Sequence, residues 1–158
     1  MPNDLFSILF PKNADNTVHG SKIPLYLFIL IAAVGTVRSF IHILSPDGGA
    51  GSIAGMNLAV SGANEVIFAF ALWGGEQLVY ALLQWLVIWR YRALLPLMWI
   101  AQFIESLLRI LVGKLKPVSF AHTPPGAYQN YFYIVLSLLM VALALWSGYK
   151  ELRVRPSM

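Results

Sequence analysis

Cysteine is absent from the 158-residue chain, which excludes disulfides, thiolate metal sites, iron–sulfur clusters and cysteine nucleophiles. Charge is scarce as well. Asp, Glu, Lys and Arg make up 11% of the residues, where a soluble domain carries roughly 25%. So little charge cannot cover a globule of this size against water, so lipid must be part of its solvent. The remaining residues agree, with 58% hydrophobic and a mean hydropathy of +0.68. Three scattered histidines supply neither a metal site at HxxxH spacing nor a bis-histidine haem. No lysine lies mid-run to carry a Schiff base, and the GxxxxGK[ST] phosphate loop is missing. No cofactor is expected.

What is present is four apolar stretches of spanning length, from about Pro24 to Leu44, Asn64 to Trp89, Pro96 to Gly113, and 127 to 149. A spanning helix needs about 20 such residues. The runs are continuous rather than alternating, and helices satisfy their own backbone groups in lipid, so a β-barrel is not expected. Pro24 suits a first helical turn and Gly113 a C-terminal cap. The first run follows a polar leader with little positive charge and continues past Arg38, so it is read as a retained span rather than a cleaved signal. The expected fold is all-α: a polytopic four-helix membrane bundle in one domain spanning 1–158.

The net charge of +4 does not indicate nucleic acid, because the basic residues flank the apolar runs instead of sharing a face. Lys12, Lys22, Arg90, Arg92, Lys150, Arg153 and Arg155 fall on one side of the layout, and Lys114 and Lys116 on the other. That bias places both termini in the cytoplasm. Trp85, Trp89, Tyr91, Trp146 and Tyr149 then mark the inner interface, and Tyr128, Tyr131 and Tyr133 the outer one. LFSILF, near the start, is suited to the inner interface.

The connection RYRALLP is short enough to make spans two and three a helical hairpin. The connection across 45–63 is long, glycine-rich and nearly uncharged. It reads first as a flexible external loop, with a re-entrant segment as the alternative. Asp47 in PDGG reads as a turn residue, and Glu65 as an acid in the first turn of its helix.

The stretch QFIESLLRI places Glu105 near mid-span and Arg109 about 7 Å further out at the helical rise. Gln102, Glu105 and Arg109 share one face. On the second span Glu76 is also near mid-span, beside Gln77. On the first, Arg38 lies about 6 Å outward of centre and His42 one turn beyond. A charge at mid-span costs roughly 2.5–3.5 kcal/mol, so Arg38, Glu76, Glu105 and Arg109 are expected to pair across the bundle interior. Ser137, Ala144 and Gly148 give the fourth span a small-residue face for close approach.

Such a cluster has two readings. It is a buried ion-pair network that fixes register, or a polar cavity in which Arg38, His42, Glu76, Gln77, Gln102, Glu105 and Arg109 hold a ligand. The first suits an accessory subunit or assembly factor docking on a membrane-protein partner or a second copy. The second suits binding or transport of a small polar or anionic ligand, with Glu76 or Glu105 available to carry a proton. An enzyme is not expected. DGGAGSIAG begins like the motif of phospholipid-synthesising transferases but lacks its arginine and paired aspartates, and GSIAG is not the GxSxG elbow.

IHILSPDGGAGSIAGM, ALWGGEQLVYALL and WRYRALLPLMW resemble a group of small bacterial four-span membrane proteins. The similarity extends from about Arg38 through Arg109. The resemblance implies a bacterial cytoplasmic membrane and no particular reaction. The layout is also loosely similar to that of DoxX-like proteins, with no shared motif that transfers residue roles.

Overall fold

The computed structural model describes residues 2–154, with side chains from Leu5 onward. Helix α1 covers Pro2–Leu9, α2 Ile23–Leu44, α3 Ala63–Arg90, α4 Leu95–Leu115 and α5 Pro125–Val154, with a single 3-10 turn at Arg92–Leu94. No strand occurs among the described residues. Helices α2 to α5 are each long and apolar enough to cross a membrane. Side chains such as Leu72, Leu82, Leu111 and Val135 face outward, a surface suited to lipid and not to water.

The spans run longer than hydropathy alone marks them. Helix α5 continues to Val154, because Lys150, Glu151, Leu152 and Arg153 are good helix formers outside an apolar layer. Gly113 does not cap α4. The helix passes through it and ends at Lys116, whose φ of −129° and ψ of 71° suit the residue before Pro117.

The helices pair as α2 on α3 and α4 on α5, with few contacts between the pairs. The turn joining α3 and α4, the leader and the end of α5 share one end of the bundle, here the hairpin end. There the Ala93 N–H donates to the Asp15 carbonyl at 3.2 Å, and the Gly20 N–H to the Glu151 carboxylate at 2.6 Å. Ile8 of α1 is buried close to Gly148, so the small-residue face of α5 does admit close packing. Arg92 Nε donates to the Ile88 carbonyl at 2.7 Å and so closes the end of α3.

An apolar core fills this hairpin end. Leu25, Phe28 and Ile31 of α2 meet Ile88 of α3, Leu95 and Trp99 of α4 and Met140 of α5. The Phe28 and Trp99 rings meet edge to face at 5.3 Å, a favoured aromatic geometry. The Trp99 indole N–H donates to the Pro24 carbonyl at 3.2 Å, which satisfies the one polar atom of that side chain.

The opposite, loop end is organised differently. The connection between α2 and α3 is not a flexible loop but a compact cap with Gly48, Gly49, Ala50 and Ala54 buried. Asp47 builds its first turn, accepting from the Gly49 N–H at 2.8 Å and the Ser52 N–H at 2.6 Å. The Ser52 and Gly49 amides hold the Asp47 carboxyl below its ordinary value. Gly48, at φ 59°, passes so close to α3 that a Cβ would sit 3.0 Å from that of Phe70. No other residue type combines that angle with that approach. The Ala121 N–H donates to the Gly55 carbonyl at 2.8 Å, tying the cap to the connection before α5. Small size, read in sequence as flexibility, here permits close packing.

Candidate functional site

Beneath the cap lies a cavity of about 800 Å³, walled by α2, α3, α4, the cap and the start of α5. Three cations and one carboxylate line it: Arg38, Arg109, Lys116 and Glu105.

The approach of α2 to α3 sets the geometry. Gly74 is buried where the helices cross, and a Cβ there would fall 2.7 Å from the His42 Cβ and 3.1 Å from the Ser39 carbonyl oxygen. This closeness seats the His42 ring 5.0 Å from the indole of Trp73 and 5.7 Å from the ring of Phe70. His42 is not a solvated interfacial residue, since only 4% of it is exposed. Its Nδ1 lies 2.7 Å from the Gly48 carbonyl, which can only accept, so Nδ1 carries the proton. The lone pair on Nε2 then accepts from Arg38 Nε at 3.2 Å. His42 is thus a neutral strut between the cap and Arg38.

The hydrogen-bond partners of Arg38 are neutral. Its Nη1 donates to Gln129 Oε1 on α5 at 2.9 Å. Gln129 in turn donates from Nε2 to the Tyr133 hydroxyl at 2.7 Å, which fixes the orientation of its amide. The Arg38 guanidinium carbon sits 4.9 Å from the centre of the Trp73 ring, and that of Arg109 sits 5.2 Å from the same centre. Two cations from different helices therefore share one indole face system.

The expected ion-pair network across three helices is not formed. Within the spans, Arg109 pairs with Glu105 one turn away on its own helix. The second carboxylate oxygen of Glu105 accepts from Gln102 Nε2 at 2.8 Å. Gln102 is buried and receives a long bond, 3.4 Å, from Gln84 Nε2. Glu76 takes no part. It is exposed on α3 and forms no ion pair among the described residues. The reason is register: two residues beyond Gly74, it lies about 200° round the helix from the face that meets α2. The neutral four-charge set thus becomes one local pair, an exposed glutamate, and an arginine with no carboxylate within ion-pair distance among the described residues.

Behind the arginines a recess of about 40 Å³ is lined by Gln77, Tyr80, Gln84, Gln102 and Tyr133 among others. It has room for water. The Gln77 amide nitrogen is buried there without a protein hydrogen-bond partner among the described residues. Of the residues expected in the site, Arg38, His42, Glu105 and Arg109 line the cavity. Gln77 and Gln102 line the recess behind it, and Glu76 lies outside both.

Trp73, Phe70, Gln129 and Tyr133 are site residues that sequence reasoning missed. A signal existed in YQNYFY, where Gln129 and Tyr133 stand four apart on one helical face. Among the described residues no group of histidines and carboxylates has the arrangement of a metal site. No family model, curated protein or solved structure matches the chain, so the site is read from its own geometry.

Proposed function

We propose that the protein binds an anion in the cavity at the loop end, with Arg38 and Arg109 as its charged contacts. The observation carrying this reading is that Arg38 reaches the cavity wall with neutral hydrogen-bond partners and, among the described residues, no carboxylate within ion-pair distance. A cation at that depth costs several kcal/mol unless compensated, and a bound anion is the natural compensation. Arginine suits an oxyanion because its fork of donors matches two oxygens at once. The apolar core at the hairpin end supports a binding pocket closed at its base rather than an open channel.

Octyl phosphate should bind the protein in neutral-lipid nanodiscs, and octanol should not. Arg38→Gln should weaken binding roughly tenfold to a hundredfold, the worth of one charged hydrogen bond. Equal binding by the parent and an Arg38→Gln, Arg109→Gln double variant would defeat the proposal.

We further propose a cytoplasmic-membrane location with the hairpin end in the cytoplasm. Lys12, Lys22, Arg90, Arg92, Lys150 and Arg153 cluster there, while Lys114 and Lys116 lie at the loop end; Arg155 falls outside the described residues. Because the chain has no cysteine, a Ser61→Cys variant gives a clean topology probe. An impermeant maleimide should label it on intact cells, and labelling only after lysis would reverse the orientation.

A further inference from the structure

The cavity says more about its occupant than its charge. Glu105, Lys116 and Gln129 also line it, but most of its wall is hydrocarbon, with Ile41, Phe70, Leu108, Val112, Val118 and Phe120 among its lining residues. A small hydrated anion gains nothing from such a wall, since contact with it replaces favourable water by carbon. The volume of about 800 Å³ lies within the roughly 300–1,000 Å³ of pockets that enclose drug-sized organic molecules. It far exceeds what one oxyanion head would fill.

The wall is also open in part. Leu108, Val112, Val118 and Phe120 are all substantially exposed, and α3 and α4 make few contacts. Leu108 and Val112 thus offer an apolar body a carbon-lined approach to the cavity along α4.

We infer that the ligand is an amphipathic anion: an oxyanion head, phosphate or carboxylate, held at Arg38 and Arg109 and carrying a single apolar body that lies along the cavity wall. This rests on the anion-binding reading and deepens it. The head engages the guanidinium groups beside Trp73, and the body displaces water or lipid from the carbon-lined part of the cavity.

The test is a series of methyl, butyl, octyl and dodecyl phosphates titrated into neutral-lipid nanodiscs holding the full chain, with Trp fluorescence as readout. The same titrations on the Arg38→Gln, Arg109→Gln double variant report simple partition into the bilayer. Affinity should rise about twofold to fourfold per methylene, the range set by burying one CH₂, until the cavity is full. Val112→Trp and Leu108→Trp, which place bulk on the wall, should each shrink the ratio of dodecyl to methyl affinity.

Chain-independent affinity that still requires Arg38 would overturn the amphipathic inference and leave anion binding standing. Affinities equal to the parent's along the whole series in the double variant would be bilayer partition and would overturn both. Phosphatidic acid, with the same head and two chains, should fail to compete. Competition at equal strength would overturn the single-body limit and point to a membrane lipid.

Discussion

Gly74→Ala should destabilise the protein by about 1–3 kcal/mol, the usual cost of forcing a methyl group into a filled interior. Gly75→Ala, one residue away, should be neutral or slightly stabilising. Both changes replace glycine in the same helix, so any gain in helix preference is common to the two. They differ only in what the new methyl meets. At Gly74 it meets the His42 Cβ at 2.7 Å and backbone at 3.1 Å; at Gly75 it meets nothing within 4 Å. Backbone yields less readily than a flexible side-chain tip, so α2 and α3 must separate. That separation withdraws His42 from Trp73 and loosens the strut behind Arg38. Thermal unfolding in detergent would compare the pair, and equal midpoints would refute the crossing described above.

Trp99→Ala should cost about 3–5 kcal/mol, as large aromatic truncations in filled interiors do. In lipid the loss has a particular origin. The hydrophobic effect does not drive helices together there, so packing contacts and hydrogen bonds hold the bundle. Trp99 is fully buried against Phe28, and its truncation leaves a hole that surrounding helices cannot close. Trp99→Phe retains most of the contact but drops the bond to the Pro24 carbonyl, and should cost about 1 kcal/mol for that bond besides its smaller packing loss. Trp89, 74% exposed, is the control, and its replacement by alanine should fall within about 0.5 kcal/mol of the parent. Denaturant titration of the three variants would measure the order. If Trp99→Ala proved no worse than Trp89→Ala, the hairpin-end core would not be where stability resides.

The four spans were legible because length and apolar content decide whether a helix can live in lipid, and both are explicit in the residues. Rotation about the helix axis was not. Helix α3 is apolar around most of its circumference, so nothing in its pattern told which side meets α2. Charge was the natural guide, and it misled: Glu76 points away, while the unremarked Gly74 marks the contact. The cap was obscured for a related reason. A run of glycine and alanine looks slack in sequence, yet lacking bulk is what lets backbone settle against Phe70. Arg38 and His42 were identifiable as site residues, but their partners were not. Gln129 and Trp73 are separated from them by at least 87 (129 − 42) and 31 (73 − 42) positions of chain, and neither carries a charge to signal its role.

Each helical pair is tightly joined within itself, and the two pairs are fastened to one another chiefly by the carbon-rich core at the hairpin end. Arg38 belongs to one pair and Arg109 to the other, and the Arg38–Gln129 bond already crosses between them at the loop end. Anything held by both guanidinium groups would therefore act as a second clasp, far from the core around Trp99.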